Sequence, residues 1–262
     1  MHPLLFKIPI FGGVEIRTYG FLVSLGFVSG ILWVVRESKR LSLDTDSVLD
    51  LIFWIIFSGI IGSRLNYLII TDPSRIIREP WSVIALWEGG LVYYGGLISA
   101  ILVVLIYTKR KRLSLPVYAD VIAPAVALGH AFGRIGCFMA GCCYGAVAHG
   151  SAIAVVFPDD PRGIAPPGIP LYPTQLMESL GEFLIFFILV LIRRRKRFDG
   201  EVFSFYLVFY AILRFCVEFF RGDERGFIMR GILSHAQGIS ILLFVVGLTL
   251  LARGFIKARV AR

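Results

Sequence analysis

The sequence predicts an all-α integral membrane protein of about seven transmembrane helices, with its N-terminus outside and its C-terminus in the cytoplasm. Of its 262 residues, 57% are hydrophobic and only 17% charged, and the mean hydropathy is +0.78. A soluble domain carries about 45–50% apolar and about 25% charged residues. The apolar residues fall in blocks close to the ~20 residues that a helix needs to cross ~30 Å of hydrocarbon. Sixteen of the 27 Lys and Arg follow the first, third, fifth and seventh blocks, against eight on the other side. Positive-inside bias sets the orientation from that asymmetry.

In chain order, residues 1–17 are short and mixed, with Pro3, Pro9 and a Gly12-Gly13 break, and read as an irregular or interfacial segment. A basic n-region, an apolar h-region and a small-residue cleavage site are missing, so no cleavable signal peptide is expected. The first span covers about 19–35 and leads into the basic stretch 36–40. Residues 41–50 offer Ser42, Asp44 or Ser47 as the N-cap of the second span, about 48–70, which contains Arg64. A polar, proline-containing connection, 71–88, holds Trp81 and Trp87, which suit an interface belt. The third span, about 91–107, ends in the basic run 109–112, and the fourth runs from about 117 into a Gly-rich stretch. Residues 146–173 are too broken by Pro and Gly to cross a bilayer and form a loop on the outer, periplasmic side. The fifth span covers about 174–192 and ends in five basic residues. The sixth, about 201–219, contains Arg214, and the seventh, about 236–251, precedes a basic tail. One polytopic domain, 1–262, accounts for the whole chain. The net charge of +9 lies mainly in runs beside span ends, so topology explains it and no nucleic-acid partner is expected.

The stretch 129–145, GHAFGRIGCFMAGCCYG, stands apart from this greasy background. It places Arg134 among five glycines and three cysteines. A lone arginine at mid-bilayer costs about 2.5–3.5 kcal/mol, so each of Arg64, Arg134 and Arg214 needs a protein partner or a bound anion. Glu218 lies one turn after Arg214 and is its expected partner. Asp50, Glu88, Asp120, Glu178 and Glu182 are candidates for the other two. Ion pairing alone would satisfy such arginines. An anion shared between them would too, and in a membrane the abundant anion is a phospholipid phosphate, whose oxygens match the guanidinium fork.

Two further clusters are polar within apolar helices. WEGGLVYYGGL, 87–97, brings tyrosines beside two glycine pairs, and Tyr210, Arg214, Glu218 and Arg221 form one stripe. Interface-belt tyrosines and a helix-packing seam are the plainer readings. Cys137, Cys142 and Cys143 have the spacing C-x4-C-C, which fits none of the usual zinc or iron–sulfur patterns. A disulfide, a reactive thiol or three small packing residues all suit it, and Cys216 reads as packing.

These clusters, in this order, resemble the prolipoprotein diacylglyceryl transferases. The resemblance rests on Tyr19-Gly20, Gly62-Ser63-Arg64, WEGGLVYYGGLI at 87–98, DVIAP at 120–124, GRIGCFMAGCCYG at 133–145, YPTQLME at 172–178 and LRFCVEFFR at 213–221. It implies an enzyme of the bacterial inner membrane that performs the first step of lipoprotein maturation. The diacylglyceryl group of phosphatidylglycerol passes to the lipobox cysteine of a preprolipoprotein signal peptide, forming a thioether and releasing glycerol phosphate. It further implies Arg214, Tyr94, Glu218 and Arg221 as catalytic residues. Arg134, Tyr19, Arg64, Gly95, Gly96, Tyr210 and Glu178 are implied to bind phosphatidylglycerol, with no metal or soluble cofactor. The chain departs from the family pattern at Tyr94 and Tyr172, where histidines are usual, at Cys137 in place of Asn, and at Cys142 in place of an acidic residue. Those departures leave two alternatives: a divergent lipid-handling relative with another thiol acceptor, or a catalytically silent lipid-binding or redox membrane protein. His130, one turn before Arg134, is a candidate base.

Overall fold

The structure, a computed structural model, describes residues 3–8, 14–222, 227–228 and 233–260. Among them, seven α-helices reach 18 residues or more: α1 (Thr18–Arg40), α2 (Thr45–Thr71), α4 (Tyr93–Arg110), α5 (Leu115–Ala140), α6 (Thr174–Arg193), α7 (Glu201–Glu218) and α8 (His235–Val260). Five of these, α1, α2, α5, α6 and α8, are both long and apolar enough to cross a membrane. The other two are the shortest, at 18 residues each. Charge lowers their apolarity: α4 runs into Lys109 and Arg110, and α7 carries Glu201, Arg214 and Glu218. The protein is therefore an all-α, multi-helix membrane protein with five candidate crossings.

Short elements decorate the helices. The N-terminal segment, expected to be irregular, forms an antiparallel hairpin of β1 (Leu4–Ile8) and β2 (Val14–Arg17), with a bulge between Leu4 and Phe6. A short helix, α3 (Pro73–Arg78), and two single 3₁₀ turns carry the connection from α2 to α4. Two-residue strand pairs, β3 (Val155–Val156) with β4 (Pro170–Leu171) and β5 (Phe227–Ile228) with β6 (Leu233–Ser234), close later loops.

The chain divides into two compact units, Val34–Tyr118 and the remainder, Met1–Trp33 with Ala119–Arg262. In the first, Asp44 caps α2 by accepting from the Asp46 and Ser47 amides at 3.3 Å, which selects one of the three expected caps and satisfies two otherwise orphaned N–H groups. Helices α2 and α4 approach through small residues. A Cβ on Gly62 would strike Ser99, and one on Gly95 or Gly96 would strike Gly62, Asn66, Ser63 or Gly59. Such bare faces let two backbones close together where no hydrophobic force drives helix pairing. The Val92 amide donates to the Ser63 carbonyl at 3.1 Å and fixes the start of α4 on α2.

The second unit is built on α5, α6, α7 and α8. Ala123, Ala127, Ile185, Leu189, Val202 and Tyr206 form its core. Asp120, expected as a partner for an arginine in a span, instead caps α7. Its carboxylate accepts from the Gly200 and Phe203 amides at 2.8 and 2.9 Å and pairs with Lys196 at 3.2 Å. The loop 146–173 has a small core of its own, with Phe157, Ala165 and Leu171 packed on Phe138 and Tyr144. Backbone bonds tie it down: Tyr172 N–H donates to the Ala146 carbonyl at 3.0 Å, and Ala146 N–H to Phe220 at 2.8 Å.

Candidate active site

The polar side chains that the sequence singles out do not share one environment. In the unit Val34–Tyr118, the Arg64 side chain is 1% exposed and meets three protein groups. Its Nε donates to the Ser82 carbonyl at 3.0 Å, Nη1 to the Gly89 carbonyl, and Nη2 pairs with Glu88 at 2.6 Å. Glu88 also pairs with Arg75 at 3.0 Å. Burial pushes the Glu88 carboxyl up, but hydrogen bonds from Arg64 and Arg75 outweigh it and hold the group below its ordinary value. Arg64 thus clasps the connection between α2 and α4. Gly89 and Gly90 make that connection possible, since both have φ above +70°, a region that side chains disfavour. Gly95 and Gly96 are buried against α2, while Tyr94, on the first turn of α4, is half exposed with its ring beside Tyr93.

The other unit holds a charge network. Arg134, on α5, donates through Nη2 to Glu178 of α6 at 2.7 Å and through Nε to His130 Nε2 at 3.3 Å. His130 Nδ1 lies 2.7 Å from Glu182. Because Nε2 accepts from Arg134, Nδ1 is the ring nitrogen that donates, so both nitrogens are committed. Arg221 approaches the second oxygen of Glu178 at 3.9 Å. Glu178 and Glu182 are completely buried, one turn apart on α6. Arg214 pairs with Glu218 at 2.7 Å, as the one-turn spacing suggests, and Glu218 accepts from Ser234 Oγ at 2.6 Å. Tyr210 faces this network, its ring 5.8 Å from that of His130. The Tyr19 ring packs on Gly136, where a Cβ would meet it at 3.1 Å.

This unit therefore contains Tyr19, Arg134, Glu178, Tyr210, Arg214, Glu218 and Arg221, while Arg64, Tyr94, Gly95 and Gly96 belong to the other. Three guanidinium groups, two of them bridged by one carboxylate, suit an anionic ligand able to displace or share those contacts. Glu182 and His130 complete the network. Their helical spacing to Glu178 and Arg134 was the signal available for them.

The cysteines are placed where the sequence did not foretell. Cys137 lies on the last turn of α5, and the chain then reverses through Gly141 (φ 71°) and Cys143 (φ 60°). A non-glycine residue in that region stores about 1–3 kcal/mol of strain and persists only where its surroundings fix it. Here Thr174 Oγ1 donates to the Cys143 carbonyl at 3.0 Å and Gln175 Nε2 to the Cys142 carbonyl at 2.8 Å, from two fully buried residues at the start of α6. The result brings the three sulfurs within 4.8 Å of one another.

Comparison with known proteins agrees along most of the chain. A family profile for prolipoprotein diacylglyceryl transferase matches residues 3–253. Phosphatidylglycerol–prolipoprotein diacylglyceryl transferase 2 of Clostridium perfringens is 34% identical over 247 residues, covering 94% of each protein. The phosphatidylglycerol–prolipoprotein diacylglyceryl transferase of Clostridium tetani is 36% identical over 248 residues, covering 95% of this chain and 96% of its own length. That of Geobacter sulfurreducens is 36% identical over 257 residues, covering 95% and 94%. A match of this length, on a multi-helix membrane fold with arginines paired inside its spans, places the chain in the prolipoprotein diacylglyceryl transferase family.

Proposed function

We infer that this chain transfers the diacylglyceryl group of phosphatidylglycerol to the lipobox cysteine of preprolipoproteins, forming a thioether and releasing glycerol phosphate. The observation that carries the reading is the family match over residues 3–253. It acts as a multi-pass protein of the bacterial inner membrane. On this reading the seven long helices all cross the bilayer, as one polytopic domain with the N-terminus outside and the loop 146–173 on the periplasmic side. The two shortest helices cross because Arg214 and Glu218 inside α7 pair with each other, while the charges of α4, Lys109 and Arg110, lie in its last turn.

The reaction displaces glycerol phosphate from a glyceryl carbon, so negative charge grows on the departing phosphate. Donors already aimed at that charge lower the barrier, by about 2.7–4 kcal/mol each where such donors have been removed from other enzymes. Arg134 grips the head-group phosphate, with Glu178 and His130 holding its guanidinium in one orientation. Arg214 and Arg221 meet the same phosphate as charge develops, and Glu218 positions Arg214. Tyr19 and Tyr210 border the head group. Arg64, Gly95 and Gly96 contribute by setting the 72–97 segment, Arg64 through the carbonyls it holds and the glycines through close helix approach.

The test is mass spectrometry of a lipobox peptide incubated with the purified protein in phosphatidylglycerol vesicles. A diacylglyceryl increment on the peptide cysteine, lost with Arg134→Ala, is the expected result. No increment, with phosphatidylglycerol still bound in an Arg134-dependent way, would overturn the reading.

A further inference from the structure

Glu182 is expected from the sequence as a partner for an arginine inside a span, and the structure gives it a different one. It lies within α6, completely buried, and its hydrogen bond among the described residues joins Oε1 to His130 Nδ1 at 2.7 Å. Its second oxygen has no hydrogen-bond partner there. Burying a carboxylate costs more than one hydrogen bond to a ring returns, and an apolar side chain would fill the place without that cost. Such a residue inside a span points to function before stability.

Its role follows from the atoms around the ring. A guanidinium only donates, so Arg134 Nε, 3.3 Å from His130 Nε2, requires a lone pair on that nitrogen. A neutral imidazole with its lone pair on Nε2 carries its hydrogen on Nδ1. A carboxylate only accepts, and Glu182 stands where that hydrogen points. Glu178, the other carboxylate near the ring, is 3.8 Å from Nε2, too far to hold a hydrogen there. A ring protonated on both nitrogens would set Nε2–H against the Arg134 N–H. His130 therefore holds its neighbour and is not free to take a proton from a thiol. On the guanidinium, Nε is engaged by His130 and Nη2 by Glu178. Nη1 makes no hydrogen bond among the described residues, and the Arg134 side chain keeps 13% exposure. That nitrogen is the part left for an anion.

We propose that Glu182 is a positioning residue of the transfer, acting through His130 on Arg134. It fixes the ring hydrogen on Nδ1, the ring then holds Arg134 by its Nε, and Nη1 stays turned toward the head-group phosphate. This rests on the transferase reading. Without an acceptor at position 182, the ring hydrogen moves to Nε2 and meets the Arg134 Nε–H donor to donor. The guanidinium then keeps Glu178 alone and can turn about that one contact, so its free nitrogen is no longer aimed.

The experiment uses the full-length protein in phosphatidylglycerol nanodiscs, with nitrogen-15 NMR of labelled histidine beside the transfer assay. The chain has four histidines, so the signal missing from His130→Leu identifies this ring. Wild type should carry the hydrogen on Nδ1, and Glu182→Leu should move it to Nε2. Transfer to a lipobox peptide should fall about 10–100-fold in Glu182→Leu, since misplacing a substrate-positioning group by about 1 Å costs about 100-fold. Glu182→Gln, whose amide oxygen still accepts, should keep more of the rate. The double variant, His130→Leu with Glu182→Leu, separates positioning from stability. Two apolar side chains replace the buried pair, so its melting temperature should match or exceed that of wild type. Its rate should stay as low as that of Glu182→Leu. A wild-type ring with its hydrogen on Nε2, or a double variant that regains rate together with melting temperature, would overturn the proposal. The wild-type spectrum and the double variant decide the matter even where Glu182→Leu fails to fold. Unchanged transfer in Glu182→Leu would overturn the role of Glu182 and leave the transferase standing. The expected ring signals without any thioether product from wild type would overturn the transferase reading instead.

Discussion

Arg64 and Arg134 are two arginines within apolar helices, and they are held in different ways. Arg64 is sealed by two backbone carbonyls and one carboxylate, all from the connection that follows its own helix. Its partners are local, and its donors are spent on closing a loop. Arg134 is held by a carboxylate 44 residues away and by a histidine one turn back, and that carboxylate is shared with Arg221. Its contacts link helices and other charges. An arginine that satisfies backbone carbonyls is a structural clasp, since no ligand can displace a carbonyl without unmaking the fold. An arginine that shares a carboxylate with a second arginine can exchange that partner for an anion.

The comparison breaks first, and by the largest effect, at Arg134. Arg134→Gln should lower the transfer rate about 10²–10³-fold, the loss expected for one donor to a developing anion. Arg134→Lys should recover only part, because an ammonium lacks the planar group that holds Glu178 and His130 at once and matches a phosphate. Transfer assays in phosphatidylglycerol vesicles measure both. Arg64→Met tests the other side. It leaves the Ser82 and Gly89 carbonyls without their donor, at a cost on the order of 1–3 kcal/mol in stability. The melting temperature should fall while the rate per folded molecule stays. A variant that kept its melting temperature and lost its rate would move Arg64 into the substrate site. Asp120→Ala is smaller. It removes the side-chain cap of α7, worth about 1 kcal/mol, and should appear as faster amide exchange at residues 200–204 with transfer little changed.

Local chemistry was legible in the sequence wherever the partner is close in the chain. The Arg214–Glu218 pair follows from one-turn spacing, and the α2 cap was among three named residues. The Arg134–Glu178 pair was not assignable, because five acidic residues were equally available and only packing of α5 on α6 chooses between them. Asp120 shows the converse: an acidic residue in an apolar stretch, counted among the arginine partners, turns out to cap a helix 80 residues on. The cysteine trio was hidden for a third reason. Its closure depends on positive φ at Gly141 and Cys143, and C-x4-C-C carries no mark that a non-glycine residue takes that conformation. The pairing of Leu4–Ile8 with Val14–Arg17 was likewise hidden, because Pro3, Pro9 and the Gly12-Gly13 break read as interruption in the sequence.

Acid offers the mildest way to separate the two arginines, because only Arg64 leans on a carboxylate that lies outside the spans. Glu88 is held below its ordinary value of 4.5, and the causes that lower it are Arg64 and Arg75. A depressed carboxyl contributes stability that is fully present above its ordinary value. That stability is lost as pH falls through the lower, folded-state value. Residues 72–90 should therefore keep their protection from proteolysis at neutral pH and lose it progressively below about pH 4.5. In Glu88→Gln the amide still accepts from Arg64 but cannot be protonated in this range, so the acid-dependent step should disappear. Protection at neutral pH should then be only slightly weaker. If the wild-type segment loosened equally at pH 7 and pH 4, or if Glu88→Gln kept the acid step, the carbonyl contacts alone would be holding the clasp and the ion pair would add nothing to it.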